Sequence, residues 1–541
     1  MELTRNMNDV KDTSIWDVVV IGTGFAGMFM IYKLTQLGLK VLALEEATGV
    51  GGTWYWNRYP GARCDVESME YSFSFSQELE QEWEWKDRYS TQSDILKYAD
   101  HVADRFNLRR YIRFNSRVES ANYDQTHRIW VLTTTSGDVY RGRYCVMATG
   151  TLSSINIPEF EGLDSYQGEW YTTGRWPHTK VDFTGKRVAI IGTGSSAIQS
   201  IPVIAKEAEH LTVFQRTPNY SVPAHNRPLE TNEIDTVKRN YSSIREKARE
   251  SQSGISYLKI GTQNAFDVSD NERDDQYQNR WEYGGTGITT AYMDIGTDEN
   301  ANNTAAEFVR RKIRGIVSDP VVAELLSPKN TIGCKRICVD TDYFETYNRE
   351  NVSLIDVNET PIIRLVPHGL QTTDKTFNFD CIIFAIGFDA MTGALLAIDI
   401  RGKSGISLRE KWEDGPMTYL GLSTEGFPNM FTITGPGSPS VLSNMITSIE
   451  QHVNWIANCI TYIGSLGKEE IEATKEAEID WTNQVEEIAQ GTLRYTCNSW
   501  YVGANVPGKK RIFMPYAGGL SKYNEECKKV ASAGYTGFSI I

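Results

Sequence analysis

Gly22-Thr23-Gly24-Phe25-Ala26-Gly27 stands directly behind the β-branched run Asp17-Val18-Val19-Val20-Ile21. Small residues at this spacing let a backbone approach a pyrophosphate, whose charge then sits on the N-terminus of the next helix. Helical spacing follows from Met28 to Gly38, with Met30, Leu34 and Leu37 as the apolar positions, and then a strand from Lys40 to Leu44. Glu45 lies 23 residues after Gly22, where a carboxylate accepts from a ribose hydroxyl. A lone Gly-x-Gly-x-x-Gly is weak, but strand, glycines, helix, strand and acid in this order predict a dinucleotide site.

The pattern returns at Lys186. Val188-Ala189-Ile190-Ile191 leads into Gly192-Thr193-Gly194-Ser195-Ser196-Ala197, then a helix from Ile198 to Ala208 and the strand Leu211 to Phe214. The same 23-residue count from Gly192 lands on Gln215, with Arg216 next. A carboxylate there would repel a 2′-phosphate, whereas a guanidinium grips it with paired, charge-assisted hydrogen bonds. The second site therefore reads as NADP. Two unlike sites in one chain imply FAD first and NADPH second. Two apolar runs, Tyr144 to Gly150 and Cys381 to Gly387, read as strands ending beside a cofactor, the first after a hairpin around Ser136-Gly137-Asp138.

The elements that must position these residues follow from the rest of the chain. The 541 residues are 40% hydrophobic and 23% charged, an ordinary core-forming composition with room for three or four domain-sized units. The expected class is α/β, with two dinucleotide-binding Rossmann-like domains and a helical insertion. A discontinuous FAD domain spans 1–140 and 387–541, an NADP domain spans 152–223 and 332–380, and the insertion spans 224–331. Helix-like stretches run from Glu230 to Gln252 and from Asn302 to Ser318, while Trp500 to Ile541 is expected to wrap the body. The formal charge of −14 argues against nucleic-acid or anionic-membrane partners. No apolar run reaches a membrane span, and Met1 to Ile15 does not look like a secretory signal. Eight cysteines without a Cys-x-x-Cys predict no disulfide framework and a reducing, cytoplasmic compartment, with Cys334 and Cys338 incidental. With seven histidines, no metal site is expected.

Disulfide reductases of this layout need a redox Cys-x-x-Cys beside the flavin. Its absence directs attention to oxygen as the electron acceptor. The aromatic segment Gly51 to Asp65 follows the first βαβ unit closely; Trp54 and Trp56 can floor a flavin by stacking, with Asp65 a charged group in the pocket. Here the sequence resembles the type I Baeyer–Villiger monooxygenases. Their signature is met by Gly51, Gly52, Trp54, Tyr59, Pro60, Gly61 and Asp65. The resemblance extends through Lys335-Arg336, Phe388-Asp389, Gly435 to Ser440 and Trp500 to Lys509. The loop Ser438 to Met445 resembles that of the phenylacetone and steroid monooxygenase branch. One position departs: the family's linker fingerprint is matched by Tyr166, Gly168, Trp176 and Pro177, but its histidine is Thr172, with His178 out of register. Threonine still hydrogen-bonds but cannot change charge near neutral pH.

What the resemblance implies is an NADPH- and O2-consuming conversion of ketones to esters or lactones through a C4a-peroxyflavin, with sulfoxidation as a side activity. It places Arg336 as the cation that stabilises developing negative charge, with Asp65 orienting it. Arg216, Thr217, Lys335 and Trp500 would contact NADP, and Tyr71 and Met445 the flavin. Ser440, Val441 and Leu442, again with Met445, would border the substrate cavity. The expected partners are a small ketone and O2, on a monomer. Two other readings use the same cofactors: oxygenation of amines or sulfides, and an NADPH sensor or oxidase releasing hydrogen peroxide.

Overall fold

The computed structural model describes residues 14–541; most of the polar stretch before Ile15 lies outside the described residues. Two sheets carry the two glycine motifs. In the first, the strand Ile15–Ile21 lies parallel between Val41–Leu44 and Val139–Met147, so both neighbours end at the turn of Gly22. This eight-stranded sheet is extended by the antiparallel strands Val118–Asp124 and Ile129–Thr134, and by Asp399–Arg401 and Met430–Thr432 from late in the chain. Its central strands are almost continuously apolar because the sheet is covered on both faces, by the helices Phe25–Gln36 and Met445–Ser465 on one side.

The second sheet has five parallel strands in the order Val352–Asp356, His210–Gln215, Arg187–Ile191, Cys381–Phe384 and Glu169–Thr172. The helix Ser195–Glu207 follows its glycine turn and keeps Pro202 within it. The run from Cys381 is thus an interior strand of the second sheet, and the run from Tyr144 is the end of a longer strand of the first.

The same packing explains both leading glycines. Gly22 has φ +95° and Gly192 φ +113°, and a side chain on either would meet a neighbouring carbonyl, Ala148 O at 2.5 Å or Ala385 O at 2.4 Å. Those carbonyls end the two apolar runs, so each turn is closed by its own sheet.

Four helices, Thr231–Glu250, Asp270–Tyr283, Glu299–Ile316 and Pro320–Leu326, fill the chain between the strands Ser221–Pro223 and Cys338–Asp340. The chain after Trp500 does more than wrap the body: it contributes the helix Leu520–Ser532, packed on Met445–Ser465, and a strand, Phe538–Ile540, paired with Ile471–Ala473. Among the described residues, no helix is long and apolar enough to cross a membrane.

The cysteine expectation is corrected. Cys334 and Cys497 form a disulfide across 163 residues, with Cα atoms 6.0 Å apart. A pair so distant in sequence leaves no local spacing signal, and only the fold brings the segment before Arg336 against the segment before Trp500. The other six cysteines are free and buried.

Candidate functional site

The aromatic segment lies between the two nucleotide folds and touches both. Its Tyr59 hydroxyl donates to Gln199 Oε1 at 3.0 Å, and Gln199 Nε2 donates to Arg63 O at 3.0 Å, tying the segment to the helix behind Gly192. Gln199 was not singled out by its type; a glutamine on a helix gives no signal until its partner is known. The segment ends at Asp65, whose two oxygens accept from Arg336 Nε at 2.6 Å and Nη2 at 2.9 Å. Arg336 Nη1 also donates to Val441 O at 2.5 Å. Residues 65, 336 and 441, from three distant parts of the chain, thus meet at one guanidinium. Burial works against charge on both members, but their mutual attraction outweighs it: Asp65 is held below the usual carboxylate range and Arg336 above that of arginine. The pair is therefore ionised at any pH at which the protein works.

Around this pair lie the other predicted pocket residues. Ser440 is fully buried and adopts φ +41°, an uncommon conformation for a residue with a side chain. Its carbonyl accepts from Ser443 Oγ at 2.9 Å, which holds the loop before Met445. Val441, Leu442, Met445 and Trp500 share one apolar cluster with Met391 and Tyr501. Trp54 donates through Nε1 to the Tyr71 hydroxyl at 3.1 Å, and burial raises the Tyr71 pKa far above that of a free phenol. The two tryptophans have different neighbours. Trp54 is buried next to Tyr71, whereas Trp56 carries the Arg175 guanidinium 3.9 Å from its ring centre.

Arg175 belongs to the linker, and it also pairs with Glu46 at 3.2 Å. Thr172 ends the edge strand of the second sheet, opposite Phe384, and His178 packs on Tyr55. Tyr166 donates to Phe379 O at 3.1 Å, with Gly168 against its ring, and Trp176 is buried before Pro177. The fingerprint residues pack on the second fold, while Arg175 and His178 beside them reach Glu46, Trp56 and Tyr55 of the first; none enters the Arg336 cluster. Asp389 likewise meets Lys509 at 2.5 Å, joining two segments that the sequence left separate.

The residues suit both cofactors. Glu45 is buried and its pKa is raised by that burial; Oε2 accepts from Thr23 N and Oγ1, and Oε1 from Ala47 N, leaving lone pairs for a ribose hydroxyl. Gly24 and Gly27 complete the first turn, where Gly27 would place a side chain 1.9 Å from Gly22 O. At the second turn a Cβ on Gly194 would meet no atom within 4 Å, with Ser195 exposed beside it and Ala197 buried against the sheet. Gln215, in the acid slot, turns its amide to Leu325 O. Arg216 and Thr217 are exposed at the strand end, and burial together with the Arg216 charge lowers the Lys335 pKa. Two cations in mutual reach and, among the described residues, without a carboxylate partner suit a phosphate.

Asp340 closes the strand that follows Arg336, accepting from Ser221 Oγ and from Tyr343 N. Burial pushes its carboxyl up to about 7, from 3.8 for an unstrained aspartate. Between these values the folded chain holds a proton that the unfolded chain releases, so this group's contribution to stability falls as pH rises through about 7. The melting temperature is expected to drop from pH 5 to pH 8 more steeply in the parent than in Asp340→Asn. Parallel profiles would show that Asp340 does not titrate in this range.

Comparison with known proteins agrees with this geometry. The family model for pyridine nucleotide-disulphide oxidoreductases matches residues 19–277, which covers both glycine turns although the chain has no Cys-x-x-Cys. Cyclohexanone 1,2-monooxygenase of Acinetobacter sp is 40% identical, over 97% of this chain and 96% of that protein. Phenazine N-monooxygenase of Lysobacter antibioticus is 41% identical, over 98% and 97%. A solved structure of an oxidized steroid monooxygenase bound to NADP matches with a TM-score of 0.94 at 50% identity, covering 98% of this chain and 100% of that one.

Proposed function

This chain belongs to the flavin-dependent Baeyer–Villiger monooxygenases, and we propose that the Asp65–Arg336 pair directs its chemistry. The enzyme converts ketones to esters or lactones with FAD, NADPH and O2. When bound, FAD supplies oxygen activation and NADPH the reducing equivalents. The residues of the chain position and stabilise. Arg336 offers five N–H donors; the two to Asp65 and the one to Val441 O leave two for substrate. As a nucleophilic oxygen adds to the ketone carbon, negative charge develops on the carbonyl oxygen, and a fixed guanidinium stabilises it there. Arginine also gives up no proton near neutral pH, so it does not quench an anionic nucleophile. Asp65 holds the guanidinium plane through two parallel hydrogen bonds. That bidentate lock is the observation that carries this assignment.

Ser440, Val441, Leu442 and Met445 are assigned to the ketone cavity, with Trp54, Tyr71 and Met445 along the flavin and Trp500 over the nicotinamide end. Gly22, Gly24, Gly27 and Glu45 are assigned to FAD. Gly192, Gly194, Ser195, Ala197, Arg216, Thr217 and Lys335 are assigned to NADP. The FAD unit, expected over 1–140 and 387–541, is extended to 147 because the strand Val139–Met147 belongs to the first sheet; the NADP unit, expected over 152–223 and 332–380, is extended to 384 because Cys381–Phe384 belongs to the second; the helical insertion stays at 224–331. Small-molecule ketone and O2 are the partners of a monomeric enzyme, which light scattering tests. The cytoplasm is the proposed compartment, supported by the NADPH requirement and six free buried thiols, with the Cys334–Cys497 bridge pointing the other way. Cell fractionation decides it. The 41% identical phenazine N-monooxygenase supports a second reading, oxygenation of an aromatic nitrogen. Offering a ketone and a phenazine in competition tests the pair: ester as the dominant product upholds the first reading, and N-oxide the second.

A further inference from the structure

The segment before Trp500 presents a second guanidinium to the site. Arg494 lies in the short turn Leu493–Tyr495, which is held from several sides. Leu493 N donates to Gly296 O at 2.9 Å, the Tyr495 hydroxyl donates to Glu486 at 2.8 Å, and Cys497 is bonded to Cys334, two residues from Arg336. Tyr495 packs in the cluster of Val441, Leu442, Met445 and Tyr501. Arg494 is half-buried in this corner, with Tyr501 and Arg336 as its charged and polar neighbours.

Its charge has no partner among the described residues. Three other buried or half-buried arginines are matched, Arg88 by Glu67, Arg245 by Glu80 and Arg336 by Asp65, whereas Arg280, whose pKa burial also lowers, sits on the helix Asp270–Tyr283 of the insertion. Among the described residues Arg494 makes no hydrogen bond or ion pair. Asp65 cannot serve it, because both of its oxygens are engaged by Arg336. The corner therefore holds two guanidinium charges against one carboxylate. Burial, opposed by Tyr501 and reinforced by the Arg336 charge, lowers the Arg494 pKa, as expected of a cation kept without a counter-charge. A guanidinium partly withdrawn from water in this way gains from an anion that completes it.

We propose that Arg494 is a specificity-determining residue that binds an anionic group of the substrate, so that the preferred ketones carry a carboxylate. The cofactor's phosphate is the other possible source of anionic oxygens. That phosphate is assigned to Arg216 and Lys335, whereas Arg494 neighbours Arg336, the residue assigned to the reacting carbonyl. An acid held by Arg494 would fix the far end of the ketone while Arg336 takes the carbonyl oxygen, so binding energy remote from the reaction would orient it.

This inference rests on the ketone-oxygenating reading, and the experiment separates the two. Methyl ketones ending in a methyl group (2-octanone, 2-decanone) are compared by kcat/KM with their carboxylate-ended counterparts (7-oxooctanoate, 9-oxodecanoate). The parent is expected to favour the acid at one of these lengths by about tenfold or more, the usual scale of a charge-assisted pair. Arg494→Gln should bring that ratio to about one, and Arg494→Lys should restore part of it, a rescue that a purely structural role would not give. Equal or better turnover of the neutral ketone in the parent at both lengths overturns the proposal while leaving the ketone reading intact. So does an Arg494→Gln variant that keeps the ratio but raises the KM for NADPH, which would put a cofactor phosphate on Arg494. Ester from none of the four would instead defeat the ketone reading, and the proposal with it.

Discussion

Arg336→Ala lowers ester formation by about a hundred- to a thousandfold, the scale on which a single donor to a developing oxyanion acts. Flavin reduction by NADPH, followed anaerobically by the loss of oxidised-flavin absorbance, falls far less, because the guanidinium is needed where charge grows on the ketone oxygen. Arg336→Lys keeps the charge but gives up the two parallel bonds to Asp65 and the bond to Val441 O, so it should recover only part of the rate. Asp65→Ala leaves the cation present but unoriented, and its effect should not add to that of Arg336→Ala, as for residues acting as one unit. The depressed Asp65 pKa adds a condition on pH: between pH 5 and pH 9 the pair stays ionised, so Asp65 contributes no break to the rate profile. Undiminished ester from Arg336→Ala would remove this residue from its role.

Arg216→Ala raises the KM for NADPH by roughly tenfold to a hundredfold, about 1.4–2.8 kcal/mol, while the KM for NADH moves much less. The reason is local. The strand His210–Gln215 delivers Gln215 where an NAD site would have its acid, and Gln215 is turned to Leu325 O, leaving Arg216 and Lys335 without a carboxylate partner among the described residues. Bringing a phosphate between them removes their repulsion, so Lys335→Ala should also weaken NADPH, and the double variant should lose less than the sum of the singles. Steady-state kinetics with both nucleotides settles it. Equal effects on NADPH and NADH would place the phosphate elsewhere.

These two groups differ in how far they could be read from the chain alone. Both nucleotide turns were legible because their determinants are contiguous: a buried strand, glycines that a carbonyl forbids from carrying a side chain, and a helix with a residue count to the next strand. Arg216 followed from that count. Asp65 and Arg336 are 271 residues apart, and only the resemblance joined them, since no periodicity links an aspartate in a turn with an arginine in a loop. The same limit hid the Cys334–Cys497 bridge, the clasp of Gln199 on Tyr59 and the stacking of Arg175 on Trp56. Arg494 gave no signal because an unmatched arginine in a sequence looks the same as a solvated one. What distinguishes it is the absence of a partner, and that exists only once the neighbours are known. Two of the insertion's four helices, Thr231–Glu250 and Glu299–Ile316, were visible by composition and spacing; the charged Asp270–Tyr283 and the short Pro320–Leu326 were not, and the helix Leu520–Ser532 was masked by the Gly-Gly turn in front of it.

The central claim is that this chain inserts oxygen from O2 beside a ketone carbonyl at the expense of NADPH. The direct measurement is turnover of a simple ketone under oxygen-18 gas with NADPH consumption recorded in parallel. One labelled oxygen atom in the ester for each NADPH oxidised is the predicted result. Hydrogen peroxide in amounts equal to the NADPH consumed, with no labelled ester, would contradict it.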